Sequence, residues 1–184
     1  MVVDYETPTE INFYNLNGES FANSLQIEFN YTPFDRLDFK SAFKHYQVKT
    51  QFNNGELQKP LMPKQRFFSN VSYETVSNKK GGEWRFDATY NWIGNQRFSS
   101  TLQSPENFQL SSKSPSFSSF NAQITKVFSN QFEIYIGGEN LTNIRQSNPI
   151  LGAENPFGPN FDSTFVYGPI FGSMYYAGLR FKLN

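Results

Sequence analysis

The chain has 184 residues with 16 basic and 16 acidic side chains, so it suits one domain and lacks the basic surplus that nucleic-acid binding requires. It contains no cysteine, which excludes thiolate metal sites, disulfides and a cysteine nucleophile. Aromatic residues make up 18% of the chain although its mean hydropathy is −0.57, and disordered proteins are poor in aromatics. No run approaches the ~20 apolar residues that a membrane-spanning helix needs.

Apolar and polar residues alternate along most of the chain, and this period of two predicts β-strands, whose side chains point to opposite faces in turn. About eight strands are predicted, at roughly 1–6, 20–31, 36–50, 65–76, 83–93, 117–128, 131–142 and 173–184. The alternation is clearest between Trp84 and Trp92. These two residues would lie about 26 Å apart along a strand, or roughly 20 Å along the membrane normal at a ~40° tilt. That distance is close to the ~25 Å between the aromatic girdles of an outer-membrane barrel.

The connections between the predicted strands alternate between long and short. The long ones cover roughly 7–19, 51–64, 94–116 and 143–172, and the short ones cover 32–35, 77–82 and 129–130. All long connections therefore fall at one end of an antiparallel sheet, as in outer-membrane barrels, and a soluble β-sandwich has no reason to keep this order. The prediction is an all-β fold, an antiparallel meander of about eight transmembrane strands that is part of an outer-membrane β-barrel. Closure is expected because an unpaired strand edge is costly in hydrocarbon.

Several segments carry specific motifs. They are 137–143 (GGENLTN), 148–150 (NPI), 155–158 (NPFG), 161–162 (FD), 166–172 (VYGPIFG) and 175–184 (YYAGLRFKLN), with 43–50 (FKHYQVKT) and 59–61 (KPL) earlier in the chain. Their order resembles the C-terminal part of the β-barrel of TonB-dependent outer-membrane receptors. The resemblance implies a plugged barrel of about 22 strands, to which residues 1–184 contribute about eight as a single unit. The plug, the segment that contacts TonB and the earlier strands would then be absent, and Met1 would begin a fragment.

The same resemblance implies a function and a set of partners. The chain would be the C-terminal barrel segment of a receptor or transporter for a scarce nutrient such as a metal chelate, located in the Gram-negative outer membrane. Expected partners are outer-membrane lipid, the remaining barrel strands, the plug domain, TonB through the N-terminal part, and the barrel-insertion machinery through the last strand. No nucleic acid and no cofactor are expected. The motifs are compatible with an iron chelate, cobalamin, a sugar or a peptide as ligand.

Catalytic and metal-binding residues are not predicted, and the chain is not expected to be an enzyme. His45 is the only histidine, and by alternation it shares a face with Ser41. A lone histidine without a second ligand is weak evidence for a metal or catalytic site. The favoured interpretation is a residue at the membrane interface, near the outer rim. The competing interpretation is the serine–histidine pair of an outer-membrane lipase.

Two further sets of residues have two interpretations each. The first is the charged residues on the polar face: Lys40, Lys44, Arg85, Asp87, Glu133 and Arg180. They could line a substrate path, but cross-strand ion pairs or contacts to a plug are favoured. The second is the aromatic residues of the last long connection: Phe157, Phe161, Phe165, Tyr167 and Phe171. These either contact a ligand or pack on each other over the barrel rim.

Three alternatives to the receptor segment remain. The first is a complete eight-stranded outer-membrane barrel with a structural or adhesive role. The second is the outer-membrane lipase, and the third is a soluble β-sandwich that binds a ligand, which the order of the connections disfavours.

Overall fold

The computed structural model describes residues 2–4, 6, 10–52, 55–79 and 81–183. The strands there are β1 (Val2–Asp4), β2 (Asn12–Tyr14), β3 (Ser20–Phe34), β4 (Leu37–Phe52), β5 (Gly55–Gln58), β6 (Gln65–Glu74), β7 (Glu83–Ile93), β8 (Phe117–Ser129), β9 (Phe132–Glu139) and β10 (Met174–Phe181). A single 3-10 turn at Glu106–Phe108 is the only helical element in this part of the chain.

One antiparallel sheet dominates the fold. Its strands lie in the order β10, β9, β8, β7, β6, β4 and β3, and β5 also pairs with β4. Each of these strands pairs antiparallel with its neighbour. The predicted all-β antiparallel meander of about eight strands is therefore confirmed. The sheet is open: among the described residues, no strand covers the outer edge of β3 or of β10.

The register sorts the side chains onto two faces. Phe86 lies opposite Tyr73 on β6 and Ile124 on β8, and Ile124 lies opposite Ile136 on β9. Because opposed residues of paired strands share a face, these residues belong to one surface, here called the apolar face. The other surface, the polar face, carries Asp87 and the residues in register with it. The period of two in the sequence is therefore preserved from strand to strand.

The predicted first strand is wrong in one respect. Val2–Asp4 does not join the meander, but pairs with β2 in a separate two-stranded sheet, with Val2 opposite Tyr14 and Asp4 opposite Asn12. The Tyr14 hydroxyl donates a 2.6 Å hydrogen bond to the Asp4 carboxylate, which holds this small hairpin together. The predicted first and last strands also included Met1, Tyr5 and Asn184, which lie outside the described residues.

The predicted long connection at 51–64 contains strand residues at both 51–52 and 55–58. β4 continues to Phe52, and Gly55–Gln58 folds back along it, with Phe52 opposite Gly55. Gly55 has a φ of 112°, which a glycine adopts without strain. Because β5 and β6 lie along the same side of β4, they form one interrupted strand position. The turn at 53–54 lies outside the described residues.

The remaining connections keep the predicted order. The short ones at 35–36, 75–82 and 130–131 lie at one end of the sheet, and the long ones at 94–116 and 140–173 lie at the other. The predicted strand 131–142 ends earlier, at Glu139, because Asn140 takes a left-handed φ of 50°. The few buried apolar residues, including Phe52, Phe98 and Phe165, lie mostly at the long-connection end. Both faces of the sheet are otherwise open.

Candidate functional site

The apolar face is an exposed hydrophobic surface that continues across the sheet. Trp84, Phe86 and Tyr90 of β7 are exposed. The aromatic and aliphatic residues in register with Phe86 and Tyr90 on the neighbouring strands are exposed as well: Tyr73, Phe120 and Ile124. Rings from adjacent strands pack against each other along it, such as the stacked rings of Tyr73 and Phe86, whose centroids are 6.4 Å apart. Soluble monomers rarely expose apolar patches beyond a few hundred Å². The face therefore needs either lipid or a protein partner to cover it.

The ends of the apolar face differ in chemistry from its middle. Trp84 lies near the short-turn end of β7 and Trp92 near the long-connection end. The Lys126 amino group lies 4.6 Å from the centroid of the Trp84 ring. Long cationic side chains with an apolar stem and indole rings are both typical of membrane interfaces. The two tryptophans therefore lie at opposite ends of β7, and the aromatic girdles stay a prediction.

Ser41 and His45 are on the apolar face, as predicted, but they do not meet. Two residues four positions apart on a strand are separated by about 13 Å, and His45 lies opposite Leu25 and Gln65 instead. The Ser41 hydroxyl donates a 3.2 Å hydrogen bond to the Phe68 carbonyl. This geometry offers no serine–histidine pair for nucleophilic catalysis.

On the polar face, charged side chains from β6, β7, β9 and β10 form one ion-pair network that passes over β8. Arg85 of β7 contacts Glu83 at 2.5 Å, Glu74 of β6 at 3.4 Å and Glu133 of β9 at 4.0 Å. Arg180 of β10 also pairs with Glu133. The network links strands β6 to β10 near the short-turn end of the sheet. Its members are partly exposed, so each pair adds little stability by itself.

The other charged residues predicted on this face have local partners. The Asp87 carboxylate accepts a 3.1 Å hydrogen bond from the Asn70 amide, and the Lys44 amino group lies 4.7 Å from the centroid of the Tyr46 ring. Lys40 lies opposite Asn30 and Asn70. The structure therefore brings Arg85, Glu133 and Arg180 together and leaves the two lysines apart from them.

Segments 59–64, 94–116 and 140–173, here called the loop layer, are joined to one another at the far end of the sheet. The Gln96 amide donates to the Tyr167 carbonyl at 2.8 Å, and the Leu61 backbone N–H donates to the Arg97 carbonyl at 2.9 Å. The Arg97 guanidinium holds the buried Glu6 carboxylate with two hydrogen bonds. The loop layer and the N-terminal segment thus form one packed unit.

The aromatic residues of the last long connection divide into two groups. Phe165 is buried and packs edge-on against Phe98 at 5.5 Å, while Tyr167 contacts both Phe98 and Phe117. Phe157 and Phe171 are exposed, Phe157 completely. The packing interpretation is therefore confirmed for two members of the set, and contact of the others with a ligand stays a prediction. Phe165 and Tyr167 form the core of the loop layer, and Phe157 and Phe171 are free to contact other molecules.

A cavity of about 740 Å³ lies beneath the loop layer. Its floor is the polar face of β4, including Val48, Thr50 and Phe52, and its wall includes Leu61 and Phe165. The lining also contains four hydroxyl groups and one exposed lysine. These polar residues are Ser20, Thr50, Lys59, Ser99 and Thr164. The volume is typical of small-molecule sites, and the lining suits an apolar body with a few oxygen acceptors. Sequence alternation did not indicate this cavity, because it depends on how the connections fold back.

Asn140 fixes the course of the last long connection. Its side-chain amide donates to the carbonyls of Ile144 at 2.8 Å and Phe171 at 3.1 Å, and its side-chain oxygen accepts from the Ile144 N–H at 3.1 Å. The residue is buried, and its left-handed φ of 50° suits asparagine better than most residues. A single side chain thus ties both ends of the 140–173 segment together.

We expect Asn140→Ala to loosen this connection. The change removes four side-chain hydrogen bonds, the fourth being the one that the Thr142 hydroxyl donates to the Asn140 side-chain oxygen. It also leaves an alanine in a left-handed conformation, which asparagine tolerates better, so the combined cost should be about 2–4 kcal/mol. Limited proteolysis of the intact protein should show faster cleavage between residues 144 and 172. Asn140→Gly keeps the backbone geometry and should cost less. Equal cleavage rates in Asn140→Ala and the unsubstituted protein would contradict the assigned role.

Within the described ranges, no three His, Asp or Glu residues lie close enough together to hold a metal ion. No helix in the described part of the chain is long and apolar enough to cross a membrane. Comparison with known proteins found no matching family model, no similar curated protein and no similar solved structure.

Proposed function

We propose that this chain is a segment of a transmembrane β-barrel in the Gram-negative outer membrane, and that the barrel is a receptor of the TonB-dependent kind. The observation that carries the proposal is the register of the apolar face. On β6 to β10, every carboxylate and guanidinium group lies on the polar face, while Phe, Tyr, Trp and Ile dominate the other. Outer-membrane strands alternate in the same way between lipid-facing and lumen-facing side chains.

Strand length and connection order support the same assignment. β7 has 11 residues, and a tilted outer-membrane strand needs about 9–11 to cross the hydrocarbon. The tight turns all lie at one end and the long connections at the other, which matches periplasmic turns and extracellular loops. The proposed orientation therefore places the loop layer outside the cell.

In this proposal the chain binds and admits a ligand but does no covalent chemistry. The polar face would line the barrel lumen, and the cavity beneath the loop layer would lie at its outer mouth. The exposed Phe157 and Phe171 would be available to a ligand arriving from outside. The ligand would be a scarce nutrient such as a metal chelate, as the resemblance of the last two strands to TonB-dependent receptors implies.

Membrane orientation tests the proposal, and the absence of cysteine from the chain makes the test simple. We expect Glu154→Cys, in the long connection between β9 and β10, to react with a membrane-impermeant maleimide on intact cells. Lys79→Cys, in the short turn between β6 and β7, should react only after the outer membrane is permeabilised. The unsubstituted protein provides the background.

Two results would contradict the proposal. One is labelling of Lys79→Cys on intact cells at the same rate as Glu154→Cys. The other is recovery of the protein in a soluble fraction, with both sites labelled at the same rate.

A further inference from the structure

The polar face of β4 changes in chemistry toward the long-connection end of the sheet. It carries charged side chains at Asp38 and Lys44, but farther along the strand it carries Val48, Thr50 and Phe52. The cavity of about 740 Å³ lies between this end of β4 and the loop layer. Because its floor is the polar face, the sheet separates the cavity from anything that covers the apolar face.

Lys59 is the only charged residue among the described residues that line this cavity. Its backbone N–H donates a 3.0 Å hydrogen bond to the Val48 carbonyl, which fixes its position beside the end of β4. In the part of the chain that the structure describes, the Lys59 amino group forms no ion pair, whereas the nearby Lys49 pairs with Glu56. Lys59 is exposed while Phe165 is buried, so the lysine lies at the open side of the cavity. Its ammonium group is therefore available to an anion.

The hydroxyl groups of the lining offer few free hydrogen bonds. The Ser20 and Thr50 hydroxyls are bonded to each other at 3.1 Å, and the Thr164 hydroxyl donates to the Asp162 carboxylate at 2.7 Å. Three of the four hydroxyl groups thus already have a partner within the protein. A buried sugar would need partners for most of its hydroxyls, because a buried polar group without a hydrogen bond is costly. The lining therefore favours a mainly apolar ligand with one charged end.

Leu61, in the wall of the cavity, has a strained backbone. Its φ of 54° is left-handed, and the other non-glycine residues described with a positive φ are three asparagines and one arginine. Asparagine tolerates this conformation, but a bulky leucine rarely adopts it. The Leu61 N–H donates to the Arg97 carbonyl at 2.9 Å, and Pro63 is fully buried, so the surroundings hold the strained segment. Such strain is concentrated at ligand sites, and here it accompanies a leucine side chain that lines the cavity two residues after Lys59.

We infer that this cavity binds an amphipathic monocarboxylate, with the carboxylate at Lys59 and the apolar body against Val48, Phe52 and Leu61. The volume lies within the roughly 300–1,000 Å³ of small-molecule sites. One carboxylate carries the single negative charge that one lysine neutralises, whereas a phosphate monoester carries about 1.5 to 2. A long-chain fatty acid is the simplest compound of this class. The site depends only on the cavity, but the role of such a compound as the nutrient that the receptor admits rests on the proposed function.

Photolabelling of the intact protein tests the inference. The cell fraction that contains the protein is incubated with a long-chain fatty acid that carries a diazirine in its chain, and the labelled residues are mapped by mass spectrometry. The probe should label Val48 or Phe52, and excess unlabelled fatty acid should remove this label. The fatty alcohol with the same chain and diazirine should label these residues about two- to fivefold less, the factor expected for a partly exposed ion pair. Phe43, on the apolar face of the same strand, should be labelled equally by both probes and serves as the reference.

Substitution of Lys59 provides the second readout. Lys59→Gln should lower the cavity label, relative to that of Phe43, by the same factor, and Lys59→Arg should keep it because the charge remains. Lys64→Gln is the matched control, since Lys64 is an exposed lysine of the same segment that does not line the cavity. An unchanged label on Phe43 shows that the sheet of each variant is folded. If Lys59→Gln loses that label, the comparison of acid with alcohol in the unsubstituted protein decides by itself.

Three results would overturn the inference: equal cavity labelling by acid and alcohol, a cavity label that Lys59→Gln leaves unchanged, or no cavity label when Phe43 is labelled. Fractionation of the same samples tests the membrane proposal separately. A cavity label that depends on Lys59 in a soluble protein would support the site and refute the membrane assignment. An outer-membrane protein without the cavity label would refute the site and leave the membrane assignment intact.

Discussion

In the proposed barrel, Phe86→Arg should lower the free energy of unfolding in lipid vesicles by about 2–4 kcal/mol, because its cation would lie on the lipid side near the bilayer midplane. Phe86 lies within β7, where it is opposite Tyr73 and Ile124 on the apolar face. A guanidinium at this position cannot reach the ion-pair network, because that network is on the other side of the sheet. Leu179→Arg, on the apolar face of β10, should behave in the same way.

Unfolding by denaturant in vesicles measures the effect, and two variants serve as controls. Phe86→Leu keeps the site apolar and should lose much less stability than Phe86→Arg. Asp87→Asn changes the adjacent residue on the polar face, where its carboxylate only accepts a hydrogen bond from Asn70, and should be tolerated. Equal losses of folded protein in Phe86→Arg and Asp87→Asn would show that the two faces are wrongly assigned.

Deletion of residues 178–184 should prevent assembly in the outer membrane. It removes the half of β10 that pairs with Phe132–Tyr135 of β9, together with the Arg180–Glu133 ion pair. In the proposed barrel, the exposed edge of β9 would then be unpaired inside the membrane, which costs several kcal/mol for each backbone group without a hydrogen-bond partner. In this proposal the last strand is also the segment that the insertion machinery contacts. We expect the truncated protein in the periplasm or degraded, as measured by immunoblot of cell fractions.

Removal of residues 153–159 is the matched control for this deletion. It shortens the chain by the same number of residues, but it removes only the exposed tip of the last long connection. The flanking residues are already close: a Cβ built on Gly152 would lie 2.7 Å from the Asn160 carbonyl oxygen. This variant should reach the outer membrane at normal levels. Normal levels of the 178–184 truncation, in contrast, would show that the end of β10 is dispensable for assembly.

The main strands were predictable because each one shows the alternation of apolar and polar residues within its own sequence. Along β7 the residues from Trp84 to Trp92 alternate without interruption, and β7 has the predicted bounds of 83–93. A one-residue slip would move every apolar side chain to the other face, so the pattern also determines the register. Where the pattern is short or weak the prediction failed: β2 and β5 have three and four residues, and neither was predicted.

The candidate site was predictable only in part. Alternation placed Arg85, Glu133 and Arg180 on the polar face, but which of them would meet depends on the alignment of β7, β9 and β10. The Asn140 bonds, the Glu6–Arg97 pair and the cavity under the loop layer had no signal in the sequence pattern. The Asn140–Phe171 bond, the Glu6–Arg97 pair and the cavity lining each join residues far apart in the chain, and local composition does not record such contacts.

By itself, the sequence determined the strand class, the two faces, and the end of the sheet at which the long connections lie. These properties depend on the backbone period of two and on turn residues, which act over a few positions. Only the tertiary structure decided that Val2–Asp4 leaves the meander and that 55–58 doubles back on β4. Those outcomes depend on pairing between segments that are distant in the chain. The local pattern allows several such pairings equally, and small differences in packing and hydrogen bonding determine which one forms.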